Sequence, residues 1–201
     1  MKSLRILKFL LPAILLFLTA CGGTRVSRMD VGEVRDLSGR WNDSDSQMVA
    51  EAMVQDCLSR PWLTEFALRT GKKPDVIVGA VRNRSSEHLS TETFTKDLER
   101  ALINSGRASF VASAEERLGV REERLDQDLN AAPETRKAPG MEAGADYMLI
   151  GAVNSIIDRE GREKVVYYQV NLELVDMANN RKVWIGDKKI KKFVERTRFG
   201  L

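Results

Sequence analysis

The chain has 201 residues, of which 43% are hydrophobic and 30% charged, and its formal net charge is +3. Length and composition suit one soluble folded domain and exclude a polytopic membrane protein, a collagen-like repeat and a wholly disordered chain. The first twenty residues hold three of the 32 basic side chains and no acidic one, which leaves 29 basic against 29 acidic and excludes a generally basic nucleic-acid binder.

Those twenty residues have a logic of their own. Lys2, Arg5 and Lys8 precede an apolar run from Phe9 to Leu18 broken only by Pro12. A membrane-spanning helix needs about 20 apolar residues, so this shorter run has the proportions of a signal-peptide core. Leu18-Thr19-Ala20-Cys21 follows, then Gly22-Gly23. The tetrapeptide resembles the bacterial lipobox. The resemblance implies that a signal peptidase recognises Leu18, Thr19 and Ala20 and cuts before Cys21, whose thiol carries diacylglycerol and whose new amino terminus carries an acyl chain. Each buried methylene contributes about 0.8 kcal/mol, and several chains together anchor stably. Gly22 stands where an aspartate would retain an enteric lipoprotein in the inner membrane, which favours the periplasmic face of the outer membrane. Residues 1–20 are thus expected to be a signal peptide, 21–30 a lipidated tether and 31–201 the globular domain.

Along the domain, Val31 to Leu37 is expected to form a first strand. Ser44 and Gln47 have capping-box spacing, and Val49, Met53 and Cys57 repeat every four residues, which predicts a helix ending before Pro61. Pro61-Trp62 starts a second helix, carrying Leu63, Phe66 and Ala67, that Gly71 stops. Asp75 to Val81 reads as a strand buried on both faces. Ser90 or Thr91 caps a helix bearing Phe94, Leu98 and Leu102, which Gly106 ends. Phe110-Val111 is a short strand. Ser113 and Glu116 repeat the capping-box spacing before a helix whose thin stripe, Leu118, Leu125 and Leu129, places it on the surface. Ala131 to Gly140 is a loop.

Three strands close the chain: Tyr147 to Ile157, an alternating Val166 to Leu174, and Lys182 to Phe193, joined by turns at Arg159–Arg162 and Asn179-Asn180. The fold class is α/β: a single three-layer-like domain with a mixed sheet, helices interleaved first and a C-terminal antiparallel meander last.

Catalytic patterns are missing. With Cys21 acylated, Cys57 is the one remaining thiol, and its place on a helix's apolar stripe reads as a buried structural residue. His88, the single histidine, lies in a polar loop and reads as solvated. One cysteine and one histidine, 31 positions apart, supply no zinc set, so no metal is expected. There is no phosphate-binding glycine loop, and the pairs Glu115-Glu116 and Glu122-Glu123 sit on a solvated helix. No catalytic residue is assigned, and no cofactor beyond the lipid on Cys21 is expected.

Charge is uneven along the chain. Residues 181–201 hold eight basic and two acidic residues, net +6, so residues 21–180 carry −6. Lys188, Lys189, Lys191 and Lys192 on the last strand either blunt a sheet edge or meet an acidic partner, anionic lipid head groups or peptidoglycan carboxylates. Together with Arg84 and His88 of the polar loop they form the candidate partner-binding surface. Trp184 is expected in the core.

Several segments resemble one family. Asp36 to Ser46, Ser105-Gly106-Arg107, Gly144-Ala145-Asp146-Tyr147-Met148-Leu149-Ile150-Gly151, and Leu174-Val175-Asp176 leading to Val183-Trp184 look like the LpoB-type penicillin-binding protein activators, from about residue 31 to 193. The resemblance implies an outer-membrane lipoprotein that binds a bifunctional peptidoglycan synthase and stimulates its glycosyltransferase and transpeptidase activities without a catalytic site of its own. Enteric members carry a long proline-rich linker after the lipidated cysteine, whereas here about nine residues span roughly 30 Å. That short reach points to a partner standing further out or to a different partner altogether. Gly-Ala-Asp-Tyr and the Val-Trp hairpin are also similar to the curli-export lipoprotein CsgG and the amino-terminal part of TolB, which implies an alternative as a structural or assembly subunit of an envelope complex. The expected strand 166–174 is short for the membrane hairpin such a subunit uses, so that alternative ranks second.

Overall fold

A computed structural model describes residues 26–30 and 32–196. The lipobox residues Leu18, Thr19, Ala20 and Cys21 lie outside them, as does Val31. The chain divides into two units between Glu33 and Val34, and the second holds every helix and strand described below. Among the described residues no helix is long and apolar enough to cross a membrane.

The described elements are α1 (Asp43–Leu58), α2 (Pro61–Thr70), β1 (Asp75–Arg84), α3 (Thr91–Asn104), β2 (Ser109–Phe110), α4 (Ala114–Asn130), β3 (Tyr147–Glu160), β4 (Glu163–Asp176) and β5 (Lys182–Glu195). They build one sheet in the order β2-β1-β3-β4-β5. β1 runs parallel to both neighbours, and β3, β4 and β5 form the antiparallel meander. The α/β class, the mixed sheet and the closing meander are those the sequence predicts.

Alternation along β4 sets the core. Val166, Tyr168, Val170, Leu172 and Leu174 are buried, and residues between them, such as Tyr167 and Gln169, are half-buried. Of these, Val170, Leu172 and Leu174 join Val76 and Val78 of β1, Leu149 of β3, Val49, Met53 and Cys57 of α1, Trp62 of α2, and Phe94, Leu98 and Leu102 of α3 in one cluster. Full burial of each such side chain contributes about 1.5–3 kcal/mol. Trp62 meets Tyr147 edge-on at 4.9 Å. Trp184 is buried as expected, and its indole N–H donates to Asp56 Oδ2 at 2.8 Å. Cys57 is 3% exposed, and burial, followed by the Asp56 charge, pushes its thiol up to about 12, which makes it inert at neutral pH.

α1, α2 and α3 all contribute to the core, whereas α4 has no buried residue, as its thin stripe of Leu118, Leu125 and Leu129 predicts, because it covers too little apolar surface. Its Ser113–Glu116 capping box forms as predicted, and Arg121 clamps Glu142 with two hydrogen bonds of 2.8 and 3.0 Å.

Four expectations are corrected in detail. Residues 32–37 form no strand: Val34 and Leu37 are 69% and 83% exposed, so this stretch offers no apolar face to a sheet. The cap of α1 is Asn42 with Asp45, in place of Ser44 with Gln47. Asn42 Oδ1 accepts from Asp45 N at 2.9 Å, and Asp45 Oδ2 accepts from Asn42 N at 3.0 Å. β1 continues to Arg84 because, after an irregularity between Val78 and Val81, Arg82, Asn83 and Arg84 pair with Ala152, Val153 and Asn154; it is buried on one face rather than two. β3 and β4 each reach 14 residues, since pairing persists to Glu160 opposite Glu163. Length therefore no longer argues against a membrane hairpin. Burial does, because Val170, Leu172 and Leu174 of β4 are packed in one core cluster with helix residues.

Candidate partner-binding surface

The segment before α1 is sewn to the sheet by side chains rather than by a strand ladder. Lys192 Nζ of β5 donates to Asp36 Oδ1 at 2.6 Å, to Asp45 Oδ2 at 2.5 Å and to the carbonyl of Arg40 at 3.3 Å. Burial opposes the ammonium charge, but the hydrogen bonds to Asp36 and Asp45 prevail and hold its pKa above the ordinary lysine value. Gly39 has φ +67°, and a Cβ there would lie 2.3 Å from Val194 Cγ2, so only glycine lets the segment press against β5.

One buried hydroxyl joins this segment to the polar loop. Tyr168 OH accepts from Trp41 N at 3.0 Å and donates to Glu87 Oε2 at 2.7 Å. Burial and the Glu87 carboxylate both push that phenol well above its usual range, so it stays protonated and remains a donor. The Trp41 ring packs edge-on against Phe94 and Tyr168, with centroids 5.9 and 5.5 Å apart. The loop itself is closed by Asn83, whose Oδ1 accepts from Ser85 N at 2.9 Å and whose Nδ2 donates to the Glu87 carbonyl at 2.7 Å. Ser86 N donates to Ser155 Oγ at 3.0 Å, which ties the loop to β3.

On this frame the six candidate contact residues separate. Arg84 pairs with Asn154, Asn154 with Gln169 and Gln169 with Lys189, so one row crosses four strands on a single face. Residues directly opposite one another across a sheet share its face. It is the face turned away from the core, because Val153, Tyr168 and Val170, the buried residues, alternate with this row. Lys191, opposite Tyr167, lies on it too. Arg84, Lys189 and Lys191 are exposed, and Lys189 bonds Asp187 Oδ2 at 3.1 Å. Between the cations run amides: Tyr167 OH donates to Gln169 Oε1 at 3.3 Å, and Gln169 Nε2 to Asn171 Oδ1 at 3.0 Å.

The other candidates stand apart. His88 is exposed in the loop after β1, as a solvated histidine would be. Lys188, opposite buried Val170, is half-buried on the helix side. Lys192 is removed from the candidate surface altogether: its side chain is 9% exposed and is spent on Asp36 and Asp45. Reading the four lysines as one solvent-facing cluster ignores the period of two, which puts 188 and 192 opposite 189 and 191. Sequence reasoning also passes over Trp41, Asp45, Glu87 and Tyr168. A Tyr in the alternating buried set of β4 is the available signal, because a buried phenol needs a partner.

Among the described residues no group of three His, Cys, Asp or Glu side chains is placed to hold a metal ion. What the surface offers is an open sheet face with three separated cations and a rigid polar ladder. The model of the family described as "Peptidoglycan-synthase activator LpoB" matches residues 45–190. The chain belongs to the LpoB family. The match runs from the first turn of α1 into the second half of β5 and so takes in every described element at least in part. Among solved structures, the LpoB C-terminal domain from Escherichia coli is 18% identical, with 74% of this chain and 99% of that one covered and a TM-score of 0.43. The LpoB C-terminal domain from Salmonella enterica is also 18% identical, with the same coverage and a TM-score of 0.42. Lipoprotein GNA1162 from Neisseria meningitidis is 19% identical over 60% of this chain and 83% of that one, with a TM-score of 0.37. No curated protein matches. Membership in the LpoB family makes this a regulatory activator of peptidoglycan synthesis in general function.

Proposed function

We propose that this LpoB-family protein is held on the periplasmic face of the outer membrane by lipid on Cys21, and that it binds a bifunctional penicillin-binding protein and raises its glycosyltransferase and transpeptidase rates without chemistry of its own. The observation that carries the reading is the family match across residues 45–190. The contact surface is the sheet face that carries Arg84, Lys189 and Lys191, which fits an acidic face of the synthase. Peptidoglycan carboxylates are a second group these cations can meet.

The test is a purified cognate pair. The protein should bind the synthase and increase glycan polymerisation and cross-linking; a pair showing neither would sink the reading. Charge reversal at Arg84→Glu together with Lys189→Glu should weaken binding at least about tenfold at low salt, with a smaller difference at high salt, because rim charges act through screened electrostatics. Unchanged affinity, with unfolding also unchanged, would move the interface elsewhere.

Anchoring has its own readout. Cys21→Ala should abolish incorporation of radioactive fatty acid and release the protein from membranes, and persistent labelling would overturn the lipid assignment.

A further inference from the structure

We propose that two copies of this chain join through the free edge of β5, antiparallel and centred on Lys189, so that their two sheets continue as one. This contact goes beyond the one with a synthase and leaves that sheet face open.

β5 ends the sheet order, and among the described residues no backbone hydrogen bond joins it to any segment other than β4. One bond identifies the free groups. Arg196 N donates to the Arg162 carbonyl at 3.2 Å, and bonded and non-bonded pairs alternate along antiparallel strands. The backbone groups of Ile185, Asp187, Lys189, Lys191 and Phe193 therefore point away from β4. Such a row of unpaired donors and acceptors is a template for a further strand.

The side chains of that row select a second copy as the strand. They run apolar, acidic, basic, basic, apolar, and all are exposed, Ile185 at 67% and Phe193 at 62%. An antiparallel copy centred on Lys189 sets Ile185 against Phe193 and Asp187 against Lys191, each twice by symmetry. Lys189 meets itself on the two-fold axis, where Asp187 of its own strand holds its ammonium at 3.1 Å. Five pairs that each exchange two bonds give about ten backbone hydrogen bonds. Neighbouring registers fail. A centre on Ile190 sets Lys189 against Lys191 and Asp187 against Phe193, and a centre on Lys188 sets Ile185 against Lys191 and Lys188 against itself.

α1 favours the same neighbour. Asp45, Met48, Ala52 and Asp56 follow one another at helical spacing on a single face. Asp45 bonds Lys192 and Asp56 bonds Trp184, so this face looks onto β5. Met48 is nevertheless 48% exposed, because it stands where the sheet stops. A second copy continues the sheet there. The two-fold axis is normal to the sheet, so the outer faces of both copies, with Arg84, Lys189 and Lys191, turn the same way.

The test uses the full-length protein in a mild detergent. Sedimentation with the detergent density-matched should give twice the chain mass at high protein concentration. Asp187→Lys sets a lysine against Lys191 and should raise the dimer dissociation constant at least about tenfold; Asp187→Lys with Lys191→Asp exchanges the two charges and should restore it. Lys189→Cys should form a disulfide-linked dimer on oxidation, since the Cα atoms of a bonded pair stand about 5.5 Å apart, within disulfide range. Ile185→Cys should not link, because its two copies stand about 27 Å apart along the strands. Cys57 is buried and stays out of the reaction. A single-chain mass at every concentration overturns the proposal. So does a dimer in which Ile185→Cys links as readily as Lys189→Cys, or one that the charge exchange fails to restore.

Discussion

Lys192→Ala is expected to cost the domain about 3 kcal/mol in urea unfolding, because it strands a buried carboxylate. The side chains of Lys192 and Asp45 are 9% and 7% exposed, and Asp36 completes the cluster at 45%. Removing the ammonium leaves Asp45 charged, buried and without its counter-ion, while the cap of α1 that Asp45 makes is disturbed at the same time. Replacing both partners, Lys192→Met with Asp45→Asn, should recover most of the loss, since an uncharged pair of similar size leaves no isolated charge. A double variant as unstable as the single one would show that the lysine acts through its packing. The pH dependence follows from the same contact. The folded pKa of Lys192 lies above its ordinary value, so its contribution to stability is complete below about pH 10.4, the value in an unfolded chain, and is lost as pH rises through the folded pKa. Lys192→Met should therefore lack a share of the alkaline loss of stability that the parent chain shows.

Gly151→Ala should be at least as damaging, about 3 kcal/mol or more, for a reason of backbone packing. Gly151 pairs with Leu172 where β3 and β4 run side by side. A Cβ at 151 would lie 2.2 Å from the carbonyl oxygen of Asn171 and 2.5 Å from Leu172 Cδ2. A flexible side-chain end can swing aside, but the carbonyl belongs to the ladder and cannot move without breaking pairing at the centre of the sheet. The expected readout is a large fall in the urea midpoint together with loss of near-ultraviolet dichroism from Tyr147 and Tyr168. A variant within about 0.5 kcal/mol of the parent would mean that β4 can step away from β3.

The legible parts of the fold are those where one residue pattern serves one local purpose. Val166 to Leu174 announces a half-buried strand, and Ser113 with Glu116 announces a helix start, because each signal lies within a few residues. Segments decided by remote partners are not legible. Residues 32–37 look strand-like by composition, yet Asp36 and the adjoining Ser38 are held by Lys192 and Lys164, far along the chain. The start of α1 offers two overlapping capping patterns, and the shorter carboxylate of Asp45, closing on Asn42, prevails over Gln47, which bonds Glu51. For the candidate surface, Arg84, Lys189 and Lys191 can be named from charge alone. Their common face, and the withdrawal of Lys192 from it, need the register of four strands.

The link from Lys192 back to Asp36 spans 156 positions in sequence, and that to Asp45 spans 147. Contacts between such distant positions carry a large loop-closure cost and form late in folding. The start of this domain is thus secured only after its final strand has been made and has joined the sheet. A chain shortened before Lys182 loses the clasp on its own beginning as well as an edge of the sheet, so truncation at the carboxyl end should be felt as unfolding at the amino end.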